Sequence, residues 1–372
     1  MKVYHIADLH IRNGFTCGVM RNGFDSRLFD LRKLLMSVAF DAAKYKKKSK
    51  GEQVVLIVSG DVFNSPDPDT ISRCVFDEFL FFCLENFIYI VMIPGNHEVE
   101  GAYTSLDNYA SMNLNPLMVS TCKSKCFDVW EKGRIGVVPW QEDIGKMIDG
   151  IKKVKRGGAA ILVTHGIVEG FAPNNWEERN ELDGRIPVKL LRDFEYCALG
   201  HLHCNHFSKN IGYPGGIIRE GFHEGNVEKG VIELTFKGGK LTHKVCKIFT
   251  DKLFAIYTFS KSGWKKYNAD LSSGCINFVR FNIPSSLIRY KQKLIDKVRR
   301  DGIDYVEACR LNGPISQGGE GRKIEKANVV KGKGLKEFME ECIVSEISRK
   351  GFKMADEIKS VCCKALDKVS IE

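Results

Sequence analysis

Several common features are missing from this sequence of 372 residues, and each absence narrows the reading. No apolar run approaches the roughly 20 residues that a membrane-spanning helix needs. The opening MKVYHIADLH has none of the charged, apolar and small-residue regions of a secretory signal. An intracellular protein, in bacterial cytoplasm or an infected host cell, with no membrane partner is therefore expected. Thirteen cysteines are present, yet no CxxC pair occurs. An odd, scattered set reads as free thiols in a reducing compartment, and a cysteine-based zinc site has no support. Internal repeats and long low-complexity runs are also lacking.

What is present is an ordinary globular balance, 44% apolar and 27% charged, with a formal net charge of +10. The charge favours an anionic partner, nucleic acid first. Lysine clusters occur at Lys44 to Lys50, at Lys152 to Arg156, and around Arg289 to Arg300. The first has no interleaved aromatics and reads as a solvated helix end.

The first 250 or so residues alternate apolar runs with helical patterns. KVYHIA precedes an amphipathic stretch, Arg27 to Lys47, with Leu28, Leu31, Leu34, Leu35 and Val38 on one face. VVLIVS precedes a stretch from Thr70 to Asn86, with Asp69 as its N-cap. FIYIVMI, RIGVVPW, AAILVTH and YCALGH follow. Such uninterrupted runs suit strands buried on both faces, so a layered α/β domain is expected over residues 1–250. GVIELTF and KLTHKVCKIF read as a hairpin about Gly238-Gly239. A small βαβ-type α+β cap is expected over 251–312. The Gly- and Lys-rich stretch 313–334 reads as a linker. Two amphipathic helices within 335–372 read as a partner-binding segment.

Five of the apolar runs end in related chemistry. They are followed by Asp8 and His10, by Asp61, by Asn96 and His97, by His165, and by His201 and His203. In open α/β sheets, ligands bind beyond the carboxyl ends of the strands. Imidazole and carboxylate groups ligate divalent ions such as Mn, Fe and Zn. Two such ions can clamp a phosphoryl group and activate water. Asp61 stands alone at its strand end and is the expected bridge, giving one oxygen to each ion. Asp8, His10 and one histidine of GHLH would complete one ion. Asn96, His165 and the other would complete the second. Any one of these residues alone reads more simply as a turn or cap. The ordered set of five does not.

In this order the motifs DLH, GD, GNHE, THG and GHLH resemble those of the calcineurin-like metallophosphoesterases. The segment YPGGIIREGFHEGNVEKG extends the resemblance to DNA-repair exonucleases of the SbcD type, through Tyr213, Gly215, Ile218, Arg219, Phe222, Glu224, Lys229 and Gly230. The resemblance implies a two-sheet sandwich flanked by helices. It implies one ion on Asp8, His10, Asp61 and His203, and another on Asp61, Asn96, His165 and His201. It implies His97 as the catalytic acid, and two divalent ions, Mn first and Mg second. It further implies a nuclease, double-strand exonuclease and single-strand endonuclease, paired with an SbcC-like ATPase of the SMC type as a homodimer within a heterotetramer. The alternatives are a phosphoesterase for another substrate, or a non-catalytic scaffold bridging DNA. Glu98 is expected either to orient His97 or to be a plain helix-start acid. His5, His206, His223 and His243 match no ligand position. The loop Ile11 to Arg27 offers Arg12, Arg21 and Arg27 beside Phe15 and Phe24. It reads either as a DNA contact or as a loop packing its own apolar residues. The loop Glu169 to Arg185, with Trp176, reads as packing.

Overall fold

The computed structural model describes residues 1–49, 51–112, 114–130, 133–171, 184–222, 224, 228–238, 240–248, 253–260, 263–267, 276–283 and 305–310. The linker, the C-terminal helices, the basic stretch near Arg289 to Arg300, Trp176 and His223 lie outside them. Among the described residues no helix is long and apolar enough to cross a membrane. The chain falls into two compact units. One comprises Met1–Glu220 with Val227–Asp251. The other comprises Gly221–Asn226 and the chain from Lys252 onward.

In chain order the first unit holds β1 (Lys2–Ile6), a hairpin of β2 (Met20–Arg21) and β3 (Phe24–Asp25), α1 (Ser26–Lys48), β4 (Val54–Ser59) and α2 (Thr70–Glu85). Then come β5 (Tyr89–Ile93), a hairpin of β6 (Val99–Glu100) and β7 (Tyr103–Thr104), α3 (Asp107–Ser111), β8 (Leu117–Val119), β9 (Lys125–Trp130) and β10 (Gly133–Val138). After these follow α4 (Ile144–Arg156), β11 (Ala159–His165), β12 (Tyr196–Gly200), β13 (His206–Ser208), β14 (Ile211–Tyr213), β15 (Gly230–Lys237) and β16 (Lys240–Ile248). One sheet runs β16-β15-β1-β4-β5-β8, the other β13-β14-β12-β11-β10-β9. The pairs β1/β4, β4/β5, β10/β11 and β11/β12 are parallel.

Alternation along the strands explains the layering. On β1, Val3 points to the core shared with Val163, Ala198 and Tyr196 of the second sheet. Its neighbours Tyr4 and Ile6 join the core under α1 and α2, with Leu28, Leu31, Leu35, Phe76 and Phe79. On the far side, Leu162, Cys197 and Leu199 meet Met147, Ile151 and Val154 of α4. Both faces of both sheets are covered, which is why the strands read as continuous apolar runs. Asp69 and Asp25 cap the two long helices through their carboxylates. Lys46, Lys47 and Lys48 fill the last turn of α1, where cations face the carbonyl end of the helix.

The second unit holds a four-stranded sheet, β18-β17-β19-β20. Its strands are β17 (Leu253–Ser260), β18 (Gly263–Tyr267), β19 (Ile276–Ile283) and β20 (Tyr305–Arg310). The pairs β17/β19 and β19/β20 are parallel, as a βαβ order requires. Strand β18 pairs antiparallel with β17 and has no counterpart in the sequence reading.

One polar group sits between the two large sheets. His5 is fully buried, with Nδ1 2.8 Å from Tyr196 Oη and Nε2 2.7 Å from Ser59 Oγ. Burial pushes its pKa down to about 3. The unfolded chain takes up this proton below about pH 6.5, and the fold refuses it until about pH 3. Stability from this group is therefore complete above pH 6.5 and is lost as pH falls toward 3. His5→Phe is expected to destabilise at pH 7 by about 1–3 kcal/mol, through the loss of its bonds to two buried hydroxyls. It should also flatten the acid limb between pH 6.5 and 4 by roughly 1.4 kcal/mol per pH unit. Urea unfolding at pH 7 and pH 5 reads both effects.

Candidate metal centre

The parallel strands deliver all five motifs to one rim. β1 leads to Asp8 and His10, β4 to Asp61, and β5 to a short 3-10 turn, Asn96–Glu98. β11 ends on His165 and β12 leads to His201 and His203. The chain turns sharply at these ends. Asp8, His10, Asp61 and His201 all have positive φ, at 52°, 43°, 51° and 104°. Left-handed backbone is costly for non-glycine residues and persists where surrounding bonds over-determine it. Here they do: Leu9 and His10 N–H donate to Asp61 O at 2.8 and 3.0 Å, and His201 N–H donates to Asp8 Oδ1 at 2.7 Å. Gly60, at φ 94°, leaves no room for a side chain, since a Cβ there would collide with the His165 ring.

The side chains form two groups that share Asp61. In the first, His10 Nε2 lies 3.0 Å from His203 Nε2 and 3.5 Å from Asp61 Oδ2. In the second, Asn96 Oδ1 lies 3.0 Å from His165 Nε2 and 3.1 Å from His201 Nδ1. His165 Nε2 is 3.3 Å from Asp61 Oδ2. Asp61 Oδ2 thus faces both groups, while Oδ1 accepts the His97 N–H at 3.1 Å. This differs from the expected sharing of one oxygen with each group. The turn after Gly95 brings a backbone donor to the other oxygen.

The arrangement suits divalent ions. Donors that share an ion at about 2.1 Å stand roughly 3.0–3.5 Å apart, which is the spacing found here. Among the described residues, Asp8 Oδ2 and His10 Nδ1 are buried without a hydrogen-bond partner. His165 Nδ1 lies 2.9 Å from Ser59 O, which can only accept, so Nδ1 donates and Nε2 is presented to the site. Three groups of ligating side chains lie within 4.8 Å: Asp8, His10 and His203; His10, Asp61 and His97; Asp8, Asp61 and His165. Only His97 of these is exposed, and its ring stacks edge-on against His10 at 4.7 Å.

The electrostatics of the bare site are unbalanced. Burial, the largest influence, raises Asp8 to about 6 against the pull of His165 and His203. Burial also opposes the charge on Asp61, yet His165, His10 and His97 together hold that carboxyl below its usual range. Burial lowers His165, but Asp61 and Asp8 outweigh it and bring the ring to about 9. Burial brings His10 down to about 4. Protons thus occupy part of the role that a divalent cation fills among such groups.

Glu98 takes the second of its expected parts, an acid in the first turn of the Asn96–Glu98 helix that accepts the N-cap Gly95 N–H, and adds further bonds to it. It is fully buried, and among the described residues its carboxylate does not meet the His97 ring. It accepts Gly95 N–H at 3.0 Å, Phe63 N–H at 3.1 Å and Ser105 Oγ–H at 3.2 Å. It therefore ties the Asn96 turn to the loop after Asp61. Burial, then Asp61, pushes its pKa up to about 8. Glu98→Gln would turn an amide NH2 toward one of these donors. A loss of about 1–3 kcal/mol in urea unfolding is expected near pH 9, where the carboxyl is ionised, and a smaller one near pH 6, where the neutral acid already presents an O–H.

The loop from Ile11 to Arg27 packs on itself. Arg27 is fully buried, pairs with Asp30 at 3.0 Å and donates to Arg219 O at 2.8 Å, so it is not available to DNA. Phe15 is buried under the Arg12 guanidinium, which is bound to Glu220 at 2.9 Å and to Asn64. Arg21 remains exposed. Sequence reasoning missed the part played by Tyr213. Its hydroxyl donates to Gly166 O at 2.9 Å and accepts Val168 N–H at 3.2 Å, fixing the loop after His165. The signal was its place in the segment after GHLH. His206 stacks on Phe171 at 4.8 Å, away from this centre.

A two-sheet sandwich with carboxylates and imidazoles gathered at the carboxyl rim defines the metal-dependent phosphoesterases. The family model for calcineurin-like phosphoesterases matches residues 1–205, more than half of the chain. The chain belongs to the calcineurin-like phosphoesterase family. It matches no curated protein.

Proposed function

We propose that the protein is a two-metal DNA nuclease, a double-strand exonuclease and single-strand endonuclease. In this reading it is the nuclease subunit of an SbcCD-like complex with an SMC-like ATPase, and Mn is its metal. The observation that carries the hydrolytic part is the shared Asp61 Oδ2, 3.5 Å from His10 Nε2 and 3.3 Å from His165 Nε2. The DNA part is supported by the SbcD-like segment from Tyr213 to Gly230 and by the net charge of +10.

Asp8, His10, Asp61 and His203 would hold one ion, and Asp61, Asn96, His165 and His201 the other. When bound, the ions polarise the phosphoryl oxygens and acidify water toward a pKa of ~7. The chain supplies the rest. Ser59 O fixes the His165 tautomer, and Glu98 holds the Asn96 turn against the Asp61 loop. His97 stands exposed at the rim with its N–H anchored on Asp61 Oδ1. From there it gives a proton to the leaving 3′ oxygen. The cap over 251–312 contributes DNA contacts, and 335–372 docks on the ATPase.

The test is digestion of end-labelled duplex and hairpin DNA, with and without the ATPase subunit. Mn-dependent cleavage that EDTA abolishes is expected. Hydrolysis of a small chromogenic diester with every DNA left intact would point to another substrate.

A further inference from the structure

Away from the metal centre, the loop before β9 and the helix α4 enclose a groove of about 530 Å³. It is lined by Lys123, Ser124, Lys146, Asp149, Gly150, Lys153 and Arg156. We propose that this groove binds the phosphate backbone of duplex DNA beside the metal centre. The inference rests on the nuclease reading and adds to it a second contact on the same unit.

Three observations carry it. First, the groove is built into the packing. A glycine inside a helix costs about 1 kcal/mol relative to alanine. At Gly150 a Cβ would collide with Ser124 Oγ and stand 3.0 Å from Val138 Cγ1. The glycine lets the loop close on the helix and form one wall. Second, the charges on this side of α4 are left open. Lys152 pairs with Asp149 at 3.2 Å and Lys155 pairs with Asp193. Among the described residues, Lys123, Lys146, Lys153 and Arg156 meet no carboxylate within 4 Å. Asp149 is the one acid in the lining, so the groove carries a net +3 from four cations less one carboxylate.

Third, spacing and place suit a nucleic acid strand. From Lys146 to Arg156 is ten residues of α4, about 15 Å of rise. A duplex carries one phosphate per strand every ~3.4 Å of axis, so that length faces about four phosphates. The groove opens at the rim of the catalytic sheet. Lys125 of β9 opposes Val137, and Val138 pairs with Thr164 beside His165. Two strand spacings, roughly 10 Å, separate β9 from β11. A backbone held there continues toward the centre within a few nucleotides.

The experiment measures binding of a labelled duplex by fluorescence anisotropy over a salt series. It compares the full-length chain, Lys146→Ala/Lys153→Ala, and the control Lys48→Ala/Lys155→Ala, whose two lysines lie outside the groove lining. The groove variant should bind roughly tenfold more weakly near 0.15 M salt, with the slope of log K against log salt smaller by about 1.8. The control removes the same charge from exposed lysines outside the groove and leaves Asp149 paired with Lys152, so it should match the unmodified chain. Melting temperatures of both variants should be unchanged, because all four lysines are exposed. If the unmodified chain cleaves DNA and the groove variant keeps its affinity and slope, the groove proposal falls and the nuclease reading stands. If the unmodified chain hydrolyses a chromogenic diester but binds no duplex, both fall. Polyglutamate held through Lys146 and Lys153, with no duplex bound, would overturn the proposal in favour of an acidic protein partner.

Discussion

Asp61→Ala is expected to lower DNA hydrolysis by roughly 10⁴-fold and to remove both metal ions together. The magnitude follows from losing the several kcal/mol that the ions contribute to charge stabilisation, at 1.36 kcal/mol per decade. The joint loss follows from geometry. One oxygen, Oδ2, faces His10 Nε2 on one side and His165 Nε2 on the other. Without it each group keeps only Asp8 or Asn96 as its oxygen donor, and the imidazoles of His10 and His165 lose their shared anion. The same change frees the His97 N–H, which Asp61 Oδ1 accepts at 3.1 Å. Metal content by mass spectrometry, read beside turnover, checks both claims. One ion retained tightly in Asp61→Ala would show that the carboxylate serves a single site.

His97→Asn should separate chemistry from metal binding. Positioned proton transfer contributes typically 10²–10⁴-fold, so kcat on DNA should fall by about that factor while two ions remain. His97 is the exposed member of its cluster, reaching outward from a turn that Glu98 clamps from beneath. Its ring also lies against His10 at 4.7 Å, close enough for a ligand role to compete with an acid role. The two roles give opposite results. An acid leaves metal content intact, and a substrate with a more acidic leaving group restores much of the rate. A ligand loses an ion and gains nothing from the better leaving group.

Much of this centre was legible in the sequence because the strands that build it are buried on both faces. Runs such as VVLIVS and AAILVTH are short and rich in β-branched residues, which favours strands over buried helix, and the polar residues just beyond them mark the rim. Short strands were not legible. β8, β13 and β14 have three residues each, too few for any period to show. β18 has five residues and, among the described strands, pairs with β17 alone. Roles set by distant partners were also hidden. Glu98 read as a helix-start acid or as a group orienting His97, and nothing local announces its further donors Phe63 and Ser105. Arg27 could not be assigned between a DNA contact and loop packing, because its partner, the Arg219 carbonyl, lies 192 residues away. The choice of Asp61 Oδ2 over a split between both oxygens depends on a backbone N–H that only the folded turn supplies.

The most direct measurement is the anomalous scattering map of crystals soaked in manganese. Two peaks flanking Asp61 are predicted, one beside Asp8, His10 and His203 and one beside Asn96, His165 and His201. A single peak that leaves either group bare, or manganese found only elsewhere on the chain, would contradict the account.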